Sequence, residues 1–150
     1  MSASRTGEQT EQSVKPFFFL TEDLPFPQNS GAKLRNWSIL RILAEKAPVE
    51  ILTFDDRDLP ESDEPWMKRL RVIRLPSARA PVYRRALSQF MPYIVNGFSP
   101  AAAEIIRERA RSHPDSLVWI AKLSMAKYIR TARNERLAVV LDEHNVESDL

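Results

Sequence analysis

The chain has 150 residues, 43% hydrophobic and 28% charged, with 22 Lys and Arg against 20 Asp and Glu. A chain of this length suits one ordinary domain, which buries roughly 70% of its unfolded surface and needs no metal or disulfide staple. The absence of cysteine excludes a disulfide framework and a cysteine-ligated zinc site, and two histidines, His113 and His144, leave little material for any other metal.

Residues 1–14 are polar, rich in Ser, Thr, Gln and Glu, and without an apolar centre. They read as a disordered tail, not a secretory signal, so the domain is taken as 15–150. Its first strand is 17–20, preceded by Lys15-Pro16. A loop over 21–32 follows, broken by Pro25, Pro27 and Gly31. The spacing of Trp37, Leu40 and Ala44 predicts a helix over 33–46, with Pro48 just past its end. Residues 49–54 are nearly all apolar or β-branched and read as a strand covered on both faces. An acidic loop comes next, with a turn of helix at 65–70, then an alternating and more exposed strand at 71–75.

Pro76, Pro81 and Pro92 interrupt the next stretch, leaving only a short helix at 83–90. Ser99-Pro100 opens a clear helix, with serine as N-cap and proline at the first helical position. Ala102, Ile106 and Ala110, flanked by Ala103 and Ile105, give it one buried stripe, and His113-Pro114-Asp115 ends it. A strand at 117–120, a helix at 122–133 and a strand at 138–142 complete the chain. Strands alternating with helices predict an α/β fold: a Rossmann-like parallel sheet with helices on both faces. The apolar runs are too short for a membrane span, which predicts a soluble chain, and the absence of cysteine suits the cytoplasm.

Charge is distributed unevenly. Residues 55–64 hold six acids (Asp55, Asp56, Asp58, Glu61, Asp63, Glu64), whereas 68–85 hold seven bases and no acid. The basic stretch reads as a solvated face or as a contact with an anionic membrane surface. No nucleic-acid motif accompanies it, so no nucleic-acid partner is expected.

Two places carry candidate chemistry. In the loop and helix start spanning Ser30, Gly31, Lys33 and Arg35, a glycine lets backbone approach a ligand while free amides and the helix dipole favour an anion. The spacing matches neither the dinucleotide fingerprint nor the P-loop. The plainer alternative is that Asn29 or Ser30 caps the helix and Gly31 turns the chain. The second place follows the last strand, where α/β sheets open their ligand crevice. His144 can exchange a proton near neutral pH, with Asp142 or Glu147 to orient it. Alternatively, Asn145 is an N-cap and Glu147 lies in the first turn of a following helix.

These segments carry a family resemblance. The apolar strand 17–20, Pro25 and Pro27, Gly31, Arg35 one turn later, and Val-Glu-Ile-Leu-Thr-Phe at 49–54 resemble the opening of retaining GT-B glycosyltransferases of the family-4 type. Val-Val-Leu-Asp-Glu-His-Asn-Val-Glu at 139–147 is similar to the D-x-H-N-V-E that closes a strand in some members, and Leu-Ser-Met-Ala-Lys-Tyr at 123–128 resembles the helix start after their fourth strand. Residues 55–98 match only in outline.

The resemblance implies the incomplete N-terminal, acceptor-side half of a GT-B fold, with the C-terminal donor domain absent. The intact enzyme would transfer a sugar from a nucleotide-sugar to a glycan or lipid-linked acceptor, without cofactor or metal, and this fragment alone would be inactive. It implies a catalytic role for His144. Gly31, Ser30, Lys33 and Arg35 would lie at the donor diphosphate, and Asn145 and Glu147 on the acceptor side. Many relatives place a histidine after the fourth strand, where this chain has Ala121-Lys122. Peripheral contact with the inner face of an anionic membrane through 68–85, and homodimerisation through an open sheet edge, are further expectations. The rival readings are a stand-alone Rossmann-like binding module without catalysis, and a hydrolase or epimerase on a related scaffold.

Overall fold

Three phenylalanines and a leucine leave the strand β1 (Phe17–Thr21) no polar face, so it is stable only where both faces are covered. The computed structural model describes residues 14–77 and 98–142. Within them the other strands are β2 (Val49–Thr53), β3 (Leu70–Arg74), β4 (Leu117–Ile120) and β5 (Ala138–Leu141). They form one wholly parallel sheet of order β3-β2-β1-β4-β5, which places β1 at its centre. Phe19 lies opposite both Ile51 and Trp119, and Thr21 opposite Thr53, so the carboxyl ends of β1 and β2 are flush.

Each face has its own apolar layer. Helix α1 (Gly31–Lys46) lays Leu40, Leu43 and Ala44 in one layer with Phe19, Val49, Ile51 and Ala121. Helix α2 (Pro100–Ser112), a 3-10 segment (Leu123–Tyr128) and helix α3 (Ile129–Asn134) cover the other face. There Ala102, Ile106, Ala110, Met125, Tyr128 and Ala132 share a layer with Phe18, Leu20, Leu52, Val118 and Ile120. The fold is therefore α/β and Rossmann-like, as the alternation of elements implied.

Several boundaries differ from the sequence reading. Helix α1 starts at Gly31, before the expected 33, because Ser30 is extended and its Oγ accepts from the Lys33 amide at 3.3 Å. Its buried stripe runs through Asn36, Leu40, Leu43 and Ala44. Trp37 sits on the flank instead, against Phe26 at 5.8 Å and edge-on to Trp66 at 5.4 Å. The helix expected over 122–133 is split, since Lys122 is still extended and 3-10 winding occupies 123–128. That winding aligns residues three apart, which points both Met125 and Tyr128, each 0% exposed, into the core. The turn expected at 65–70 is a 3-10 turn, Met67–Arg69, and β3 begins at Leu70. Residues 1–13 of the expected tail and the expected helix over 83–90 lie outside the described residues.

Tyr128 and Ser99 join the second layer. The Tyr128 hydroxyl accepts from the Ser99 amide at 3.1 Å, and burial pushes the phenol up, with that bond opposing. Ser99 Oγ donates to the Pro76 carbonyl at 2.8 Å and accepts from the Ala102 amide at 3.2 Å, capping α2. Elsewhere Glu50, 6% exposed on β2, is held by the Arg109 guanidinium through two hydrogen bonds. Removing one member of a buried pair strands the other charge, whereas apolar replacement of both is often neutral. Because Arg109 is only partly buried, Glu50→Ala is expected to lower unfolding free energy by about 2 kcal/mol in urea titrations, and Glu50→Leu with Arg109→Leu to recover most of that loss. A Glu50→Ala protein as stable as wild type would refute this account.

Helix α3 ends in a Schellman motif: the Leu137 amide donates to Ala132 O at 3.1 Å and the Arg136 amide to Arg133 O at 3.0 Å. Arg136 therefore occupies the left-handed position usually given to glycine, at φ 62°. Arg136→Gly is expected to raise stability by about 1 kcal/mol, read from the thermal midpoint. A lowered midpoint would show that no strain resides at that dihedral.

Candidate functional site

The order β3-β2-β1-β4-β5 reverses direction between β1 and β4. At such a switch point the loops leaving two neighbouring strands diverge to opposite faces, and a crevice opens at their carboxyl ends. Here it lies between the loop after β1 and the residues after β4.

The first wall is tightly held. Thr21 Oγ1 donates to the Asp23 carbonyl at 2.9 Å, and Thr53 Oγ1 donates to the Glu22 carbonyl at 3.0 Å. Asp55 accepts from the Leu24 amide at 2.9 Å and the Arg57 amide at 3.0 Å, and its carboxylate also takes the Arg57 guanidinium. Those Arg57 hydrogen bonds hold the Asp55 carboxyl well below the usual range, against the opposing effect of burial and with help from the two amides. Leu24, fully buried, plugs the loop into the α1 layer.

The loop ends at Ser30, which caps α1. The first amides of a helix have no partner within it; Ser30 Oγ takes that of Lys33, and those of Gly31 and Ala32 remain as donors at the positive end. Gly31 is exposed, its φ is not positive, and a Cβ built there would meet nothing within 4 Å. Neither backbone conformation nor packing therefore demands glycine at this place.

The second wall supplies charge. The Ala121 amide bonds the Leu20 carbonyl at 3.0 Å, which brings the start of the 3-10 segment against the end of β1. Lys122 Nζ then donates to Glu22 Oε2 at 2.6 Å and lies 3.9 Å from Asp23, while Ser124 Oγ donates to the same Glu22 oxygen at 3.0 Å. Burial pushes the Glu22 carboxyl up, but the bonds from Lys122 and Ser124 and the charges of Lys122 and Lys127 outweigh it, so the net direction is down. The crevice thus presents an ionised carboxylate, a lysine and a hydroxyl, a donor and acceptor set suited to a hydroxyl-rich ligand.

Of the residues singled out in the sequence, Ser30, Gly31 and Lys33 stand together at the α1 start. Arg35 is committed: its Nε and Nη2 reach Asp142 Oδ2 and Oδ1 at 3.2 and 2.8 Å, tying α1 to the end of β5, and these bonds raise the guanidinium pKa. His144, Asn145 and Glu147 lie outside the described residues, as does the basic stretch from 78 onward. In its described part, Arg69 donates to the Ala44 and Glu45 carbonyls at 3.2 Å, Arg71 lies 3.9 Å from Glu50, and Arg74 pairs with Asp58. His113 is the C-cap of α2, as its place before proline implied. The sequence reading passed over Glu22, Ser124 and Lys127. Their signal was position, since each follows closely on the end of a strand that meets the switch point.

Among the described residues no His, Asp and Glu group could hold a metal ion, and no helix is long and apolar enough to cross a membrane. Comparison of the chain with protein families, curated proteins and solved structures finds no match.

A carboxylate with a depressed folded pKa stabilises the protein above its unfolded value of about 3.9, and that contribution is lost as pH falls through the folded value. Asp55 and Glu22 both have this sign. Acidification from neutrality to below about pH 4 is therefore expected to destabilise wild type more than Asp55→Asn, measured by urea midpoints at each pH. Equal acid losses in the two proteins would remove Asp55 from the account.

Proposed function

We propose that this chain is the acceptor-side Rossmann-like unit of a glycosyltransferase that uses a nucleotide-sugar donor. The observation that carries this reading is Gly31 at the α1 start, facing a switch-point crevice, where nothing in the fold requires a glycine. Absence of a side chain there leaves room for a ligand phosphate to reach the helix amides. Glu22, Asp23, Lys122 and Ser124 supply the acceptors and donors that would hold sugar hydroxyls across the same crevice. In this reading His144 serves as the catalytic group, with Asn145 and Glu147 on the acceptor side, and the nucleotide is gripped mainly by a second domain. Lys33 adds positive charge beside the diphosphate, while Arg35 positions α1 through Asp142.

The test is amide chemical-shift mapping on the chain titrated with uridine diphosphate and, separately, with a simple hexoside. Nucleotide is expected to shift the amides from Gly31 to Lys33, and sugar to shift Glu22, Asp23, Lys122 and Ser124. Gly31→Ala should unfold at the same or slightly higher denaturant, by up to about 1 kcal/mol, yet weaken the nucleotide response roughly tenfold. The chain alone should transfer no sugar. Shifts absent at millimolar ligand, or scattered away from the crevice, would defeat this reading.

A further inference from the structure

Ala126, Lys127, Ile129, Arg130, Arg133 and Asn134 line a concavity of about 590 Å³ along the 3-10 segment and α3. Its described lining holds two guanidinium groups, an ammonium and a side-chain amide beside two apolar residues, with no acid. Arg130 and Arg133 are three positions apart on a helix and so stand side by side, an arrangement in which like charges repel.

Elsewhere the fold neutralises most of its described arginines. Arg41, Arg57, Arg74, Arg107, Arg109 and Arg111 each pair with a carboxylate. Among the described residues, Arg130 and Arg133 enter no ion pair, although Glu135 lies two positions beyond Arg133 and bonds Arg111 instead. Lys127 brings a third cation to the same wall, where burial pushes its ammonium down against the opposing field of Glu22. Two guanidinium groups side by side on one wall repel each other unless an anion enters.

We propose that this concavity binds the phosphate group of a phosphorylated ligand, gripped by Arg130 and Arg133 with Asn134 as an added donor. The planar guanidinium fork matches phosphate oxygens in pairs, which a lysine cluster does not offer. The volume falls within the roughly 300–1,000 Å³ of ligand pockets and exceeds a lone phosphate, so the ligand carries a further body that rests on Ala126 and Ile129. The site shares no residue with the α1 start and stands or falls independently of the sugar-transfer reading.

The full chain is titrated with inorganic pyrophosphate and, in a second arm, with phosphatidylcholine vesicles containing phosphatidic acid, at matched ionic strength. Wild type is expected to bind at least one probe, and Arg130→Gln with Arg133→Gln to weaken it roughly tenfold per arginine. Arg41→Gln with Arg107→Gln, which removes the same charge elsewhere, should leave binding unchanged. Loss of the pyrophosphate response in the first double variant supports a soluble phosphorylated ligand, and loss of vesicle binding alone supports a lipid headgroup. If that variant melts below wild type, Arg130→Lys with Arg133→Lys replaces it, keeping charge and losing the paired grip. Wild type that binds neither probe, or variants that bind as tightly as wild type, would overturn the proposal.

Discussion

Parallel pairing of β1 on both of its edges is the constraint from which the other features follow. A strand can gain a parallel neighbour only through a crossover, and β1 gains β2 through α1. The chain extends the same way to β3, then returns to the opposite edge of β1 to lay down β4 and β5. Because the sheet must be covered on both faces, the segments leaving β1 and β4 go to different sides. The gap between them is the crevice, so its position is a consequence of topology and not of any one residue.

A gap at the middle of a sheet exposes backbone ends that must find partners. The fold meets this need with side chains at the strand ends or within four positions past them. Thr53 holds the carbonyl of Glu22, Asp55 holds the amide of Leu24, and the Glu22 carboxylate is shared by Lys122 and Ser124. Arg35 closes the far side onto Asp142. On the opposite face, Ser99 joins Pro76, α2 and Tyr128 through three hydrogen bonds, all buried or partly buried. These contacts fix the loops without filling the crevice, which is the condition a binding site needs.

Much of the fold was legible because parallel sheets impose strong local patterns. Phe17 to Leu20 and the second strand could be read as buried from composition alone, and Ser99-Pro100 carried its own start signal. What could not be read depended on contacts remote in sequence. Asn36 replaces Trp37 in the buried stripe since the indole is drawn to Phe26 and Trp66, far from it in the chain. The 3-10 winding before α3 follows from where Met125 and Tyr128 must point, which the helical composition of 122–133 conceals. At the site, glycine and its cap were visible, but Glu22 was not, because its importance arises only once β4 is placed beside β1.

The same distinction governs the charges. Acids at 55–64 and bases at 68–85 look, in one dimension, like an asymmetry directed at partners. In three dimensions part of it cancels internally: Asp55 takes Arg57, Asp58 takes Arg74, and Arg69 turns to the carbonyls that end α1. Such pairing makes a run of like charge in sequence a poor guide to a charged surface. The informative charges are those that folding brings together without an opposing partner or holds in a crevice, and neither set falls within the run. One lies at the switch point, with Glu22 and Lys122, and the other beside α3, with Arg130 and Arg133.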